Sequence, residues 1–171
     1  MRFPEALRGG DPRSLGRTGE VVAAVLADDR RFGELFACLG DGDAVVRMRA
    51  GDALEKVARE RPDLFVPCVD RLLGDVAAID QDSVQWHLAQ ILAEIPLDPG
   101  QRDRAVAILK ANLEQAHDWI VLTTTMSALA QFAADDAALR SWLVPVLRSH
   151  LASDRKAVAK RAQKVLGQLG A

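Results

Sequence analysis

Four leucines set the frame for this chain: Leu54, Leu92, Leu129 and Leu166, spaced 38, 37 and 37 residues apart. Each anchors a segment that aligns with the others without gaps. The segments are VRMRAGDALEKVARE from Val46, VQWHLAQILAEIPLD from Val84, VLTTTMSALAQFAAD from Val121 and VAKRAQKVLGQLGA from Val158. A period of this length marks stacked supersecondary units, each too small to bury its own apolar face alone.

Within each segment apolar or small residues recur in steps of four, three, one and three. They are Val46, Ala50, Ala53, Leu54 and Val57, then Val84, Leu88, Ile91, Leu92 and Ile95. Val121, Thr125, Ala128, Leu129 and Phe132 follow, then Val158, Ala162, Val165, Leu166 and Leu169. That spacing draws one apolar stripe along an amphipathic helix. Partner helices of the same character are expected near 31–39, 63–77, 100–115 and 137–151, with a further helix near 19–29 covering the N-terminal end. Helix starts are written at Asp98-Pro99-Gly100-Gln101, a capping-box variant with Pro at the first helical position, and by the same logic at Asp82-Ser83-Val84-Gln85. Pro62 stops the helix before it, and Gly40, Asp41 and Gly42 break the chain between helices.

Composition agrees. Aromatic residues make up 5% of the 171 residues and tyrosine is absent, so the core must be aliphatic. Ala and Leu dominate it and lose little rotamer freedom in a helix. A chain this long buries roughly 70% of its unfolded surface and needs no staples. Cys38 and Cys68 form no CxxC pair, which predicts two buried thiols in a reducing compartment. Residues 1–17 lack the apolar run of a secretory signal, and no stretch approaches the ~18 apolar residues of a membrane span. A cytoplasmic protein without a membrane partner is expected.

The pattern resembles the HEAT-repeat family of the armadillo-like superfamily. The resemblance implies an all-α fold, a right-handed α-α superhelix of about four helix pairs plus an N-terminal capping helix. Residues 1–17 would be an N-terminal arm able to move, and 18–171 a single repeat domain. The family has a proline in the first helix, matched by Pro67 and Pro145. It also has an Asp at the inter-helix turn with a base six residues later, matched by Asp43 and Arg49. Elsewhere the match loosens: Gln81 and His87 fill the slots in the second repeat, Asp118 precedes Thr124 in the third, and Asp154 and Arg161 are one residue too far apart in the last. Asp43, Arg49, His87, Asp118 and Arg161 are accordingly read as a polar ladder between repeats rather than as a catalytic site.

The motifs of catalysis are missing. His87, His117 and His150 stand in no HExxH or other metal spacing and beside no nucleophile motif, and neither GxxxxGK[ST] nor GxGxxG occurs. The sequence therefore predicts no catalytic residue, no metal, no cofactor and no enzyme. Opposite each apolar stripe, at 100° per residue, lie the positions six and two before the anchors. These are Met48 and Asp52, Trp86 and Gln90, Thr123 and Ser127, and Lys160 and Lys164. In solenoids the second helix of each pair lines the concave face. Trp86 flanked by Met48 reads either as a binding anchor or as peripheral core, and Trp119 and Trp142 are weaker candidates.

Charge is uneven. Residues 148–171 carry six cations against Asp154 alone, and residues 1–17 carry four arginines against Glu5 and Asp11, although the whole chain is −2. A basic last helix fits the polar outer face of a capping repeat, with phosphate contact as the other reading. The function these observations favour is a protein-interaction scaffold or adaptor that holds a protein or peptide along its concave face. The alternative is a DNA-binding protein resembling the HEAT-like DNA-alkylation-repair glycosylases, built on Trp86 and Trp119 with Asp52 or Asp118. The acidic central repeats argue against nucleic acid as the partner, because a DNA groove is lined with Lys and Arg.

Overall fold

The structure, a computed structural model, describes residues 1–11 and 13–171. Among these residues it is helical throughout, with no strand. The helices are α1 (Phe3–Leu7), α2 (Thr18–Ala27), α3 (Phe32–Ala37), α4 (Ala44–Glu60), α5 (Val69–Arg71), α6 (Asp82–Glu94), α7 (Pro99–Gln115), α8 (Trp119–Phe132), α9 (Ala137–His150) and α10 (Lys156–Leu169). Four pairs stack in chain order, and α4, α6, α8 and α10 form an inner layer in which each packs on the next. α2 covers the exposed side of α4, as the sequence predicts for a capping helix.

Short acidic caps set most of the boundaries. Asp43 accepts the Val45 amide at 2.8 Å, and Asp136 accepts that of Leu139 at 2.9 Å. Asp98 and Gln101 form a reciprocal capping box at 2.8 and 3.1 Å, with Pro99 opening the helix. Each satisfies an amide that the helix itself leaves without a partner. Asp82 does not cap α6, contrary to expectation. Gln81 occupies the position before the helix, and its side-chain amide donates to the Ala44 carbonyl at 2.9 Å and to the Ser83 hydroxyl at 2.6 Å.

The partner helix expected at 63–77 is irregular. Residues Pro62–Cys68 wind as 3₁₀ turns, α5 is one α turn, and Leu72–Val76 widen into a π turn closed by the Ala77 amide on the Leu72 carbonyl at 3.1 Å. Pro62 and Pro67 each lack an amide donor, so regular i→i−4 pairing is lost at both ends of the first stretch. The changing pitch still turns Phe65, Val69, Leu72, Leu73 and Val76 inward, and all five are buried.

The predicted stripe is the core: every stripe residue is buried except Phe132 and Leu169, which are half-buried. Burial of each Leu or Val contributes about 1.5–3 kcal/mol. The core divides in two. One cluster runs from Phe3 to Ile95 and Ala105, the other from Ala89 through Leu109 to Leu166, and Phe132 packs against both.

Residues 1–17, expected as an arm apart from the domain, contribute to the first cluster. Phe3 and Leu7 are fully buried, and the Phe3 amide donates to Glu34 at 2.7 Å. Arg31 lies over the Phe3 ring, 3.9 Å from its centroid. Cys38 is buried and Cys68 half-buried, both unpaired. Burial pushes the Cys38 thiol up to about 11.

Candidate functional site

One row of side chains explains how the inner helices meet. Arg49, His87, Thr124 and Arg161 each stand five residues before an anchor leucine. Three of the four reach back to the preceding element. The His87 ring lies on Gly51 of α4, where a Cβ would come within 2.9 Å of its Cδ2. Arg161 donates to the Ser127 hydroxyl of α8 at 2.9 Å.

Arg49 faces the N-terminal segment. Its guanidinium, on a side chain only 1% exposed, donates to the carbonyls of Leu7, Gly9, Asp11 and Ser14 at 2.7 to 3.0 Å. Gly9, Gly10 and Gly16 take positive φ to bring the chain round it.

The expected ladder is thus not a chain of acid–base pairs. Asp43 caps α4 and lies 3.6 Å from Arg8, not beside Arg49. Asp118 caps α8 through the amides of Ile120 and Val121. Besides Arg161 to Ser127, polar links between repeats are made by Arg47 to Gln81 at 2.7 Å, by Arg155 to the His117 carbonyl at 2.6 Å, and by Arg102 to Asp136 at 3.1 Å. His87 Nδ1 is buried without a partner, and burial lowers its pKa to about 4. Glu55, also buried, pairs with Arg59, yet burial raises its pKa above the ordinary value.

Thr124 is the exception in the row. Its hydroxyl turns back to the Ile120 carbonyl at 2.7 Å instead of crossing to α6. A recess of about 210 Å³ opens there, lined by Thr124, Gln90, Glu94, Ser127, Arg59 and Arg161 among others. It adjoins a second hollow of about 610 Å³, lined by Ser127, Gln131, Arg140, Arg161, Gln168 and neighbouring residues of α8 to α10. Ser127, Gln131 and Arg161 line both, so together they make one polar groove along the inner layer.

Of the residues read from the sequence as binding candidates, Gln90, Thr123 and Ser127 line this groove. Met48, Asp52 and Trp86 are half-buried outside it. Thr123 is only 7% exposed, whereas Lys160 at the equivalent position of α10 is exposed. Trp119 is 46% exposed, and Trp142 lies under Lys110 at 4.5 Å.

Glu94, Gln131 and Gln168 were missed. Each lies two residues after an anchor leucine, one further step of four along the stripe that holds Trp86 and Gln90, Thr123 and Ser127, or Lys160 and Lys164. That step was legible. Arg140, from the start of α9, left no such sign. Among the described residues no three His, Cys, Asp or Glu side chains gather as metal ligands, and no helix is long and apolar enough to cross a membrane.

No protein-family model matches the chain, and no curated protein is similar to it in sequence. Solved structures do match. A HEAT-like repeats protein from the archaeon Thermococcus onnurineus NA1 superposes over 98% of this chain and 78% of its own, with a TM-score of 0.60 and 16% identity. The fold is a HEAT-like repeat. An engineered protein solved as a structural-genomics target matches over 99% of this chain with a TM-score of 0.61 and 22% identity, and the chain spans 42% of its length. Within that fold the groove lies along α6, α8 and α10.

Proposed function

We propose that the chain is a non-catalytic interaction module that holds an extended polypeptide segment along the inner groove. One observation carries this reading: amide and hydroxyl side chains project into the groove from three successive inner helices. Gln90 comes from α6, Ser127 and Gln131 from α8, and Gln168 from α10. Packed helices stand about 8–10 Å apart, and an extended strand advances about 3.3 Å per residue. Successive helices therefore meet every third residue of such a strand. Side-chain amides both donate and accept, so they can satisfy backbone groups of any sequence.

No observation favours the DNA-repair reading. Asp118 is engaged in capping α8, Asp52 pairs with Lys56, and Trp119 does not line the groove.

The test is a photo-cross-linking amino acid placed at Gln131, with a second version at the exposed Ala107 of α7 as reference. The expected result is a discrete polypeptide adduct at Gln131 that is missing at Ala107. Equal adducts at both positions, or an adduct to nucleic acid, would sink the reading.

A further inference from the structure

We infer that the C-terminal end of the groove recognises carboxylates, so that the polypeptide partner presents an acidic stretch to α10. This rests on the groove being a polypeptide site, and it adds the chemistry of the occupant.

Ion pairing stops partway along the chain. Among the described residues, all ion pairs join residues between Arg2 and Asp136. Beyond Asp136 stand seven cations (Arg140, Arg148, Arg155, Lys156, Lys160, Arg161 and Lys164) against Asp154 alone, a formal +6. Three of the arginines hold only neutral oxygens. Arg140 donates to the carbonyls of Ala133 and Ala134, Arg155 to that of His117, and Arg161 to the Ser127 hydroxyl. These contacts fix the guanidinium groups in place and leave their charge uncompensated.

The layout points to a short acidic segment. Lys156, Lys160 and Lys164 follow one another at i, i+4 and i+8, all exposed, along one stripe of α10. Arg161 and Arg140 line the adjoining hollow, which has no carboxylate side chain in its wall. A strand running through the groove would pass Gln90 and Glu94 before it reached these cations, so acidic residues are favoured at its α10 end only. A nucleic-acid strand suits the surface less well. α10 is about 21 Å long at 1.5 Å per residue. Residues 18–136 beyond it hold 21 acids against 11 cations, a formal −10 that repels a longer polyanion.

Fluorescence anisotropy with three labelled probes tests the assignment: a peptide of alternating Glu and Ser, the same peptide with Gln for Glu, and single-stranded DNA. The intact chain is expected to bind the Glu peptide at low ionic strength, and salt should weaken that binding steeply. The Gln peptide should bind at least about tenfold less tightly. Lys160→Gln with Lys164→Gln, two exposed lysines that make no hydrogen bond, should weaken the Glu peptide by about tenfold. Removing the same charge at the far end, by Arg13→Gln with Arg30→Gln, should not. Arg161→Gln, checked for folding by thermal melting, should act like the lysine pair.

Equal affinity for the Glu and Gln peptides would overturn the inference, as would tighter binding of the DNA or insensitivity to the lysine substitutions. A polypeptide adduct at Gln131 whose cross-linked segment carries no acidic residues would overturn it too, while leaving the polypeptide groove intact.

Discussion

Gly16 fits against Arg49 so closely that a Cβ on the glycine would lie 3.0 Å from the guanidinium carbon. The glycine also holds φ at +53°, a conformation that other residues adopt at a cost. The loop and the arginine therefore specify each other. Arg49→Met leaves four carbonyls without their donor and is expected to destabilise the fold by about 3 kcal/mol or more. Gly16→Ala should cost about 1–3 kcal/mol. Urea unfolding measures both, and the double variant should fall short of the sum, because the two changes damage one nest.

A second close fit joins Gly51 to His87. In an exposed helix, Gly→Ala stabilises by about 1 kcal/mol. Here the added methyl would meet the imidazole Cδ2 at 2.9 Å and the His87 Cβ at 3.0 Å. The Cβ cannot move without α6, so Gly51→Ala should instead destabilise by about 1–2 kcal/mol. In a His87→Ala background the same change should turn stabilising. Thermal melts of the four proteins decide it; an unchanged sign would show that the seam yields more easily than the contact implies.

His87 also ties stability to pH. Burial holds its pKa near 4 in the folded chain against an ordinary 6.5, with Asp52 opposing the shift and Lys56 adding to it. Between these values the unfolded chain binds the proton and the folded chain does not. The contribution is therefore fully present above about pH 6.5, and it is lost as the pH falls towards 4. A difference of this size amounts to about 3 kcal/mol. Glu55 acts in the opposite sense, because its raised pKa favours the folded state as the carboxyl gains a proton. His87→Gln should flatten the decline in urea midpoint between pH 6.5 and 4. An unaltered slope would assign the decline to other groups.

Thr124→Arg tests the groove from another side. An arginine there would match Arg49 and Arg161 in the row and project across the seam towards Gln90 and Glu94, into the recess that Thr124 leaves open. Stability should change by no more than about 0.5 kcal/mol. The polypeptide adduct at Gln131 should fall sharply. A folded variant that still forms the full adduct would remove the recess from the binding surface.

The anchor leucines made the inner helices legible because one apolar stripe, repeated at a fixed period, has few other solutions. The proline-rich partner of α6 was legible as helical, but not in pitch. Where Pro62 and Pro67 remove donors, packing of Phe65 and Val69 decides how the backbone winds. Burial of Thr123 was hidden for a different reason: periodicity describes one helix, and burial depends on what packs around it. Arg49 looked like one rung among several. Its partners are backbone carbonyls supplied by glycine-rich residues 7–14, and carbonyls carry no sequence signature.

The division of the core bears on how the molecule comes apart. Its two apolar clusters interlock through the half-buried Phe132, through α6, which gives Leu88, Ile91 and Leu92 to one and Ala89 to the other, and through α7, which gives Ala105 to the first and Leu109 and Leu113 to the second. Cooperativity in a repeat array passes only between neighbours, and at this junction two whole helices and one ring carry it. Neither half can then shed its core without stripping apolar partners from α6 and α7, so the two clusters are expected to melt together as one cooperative unit.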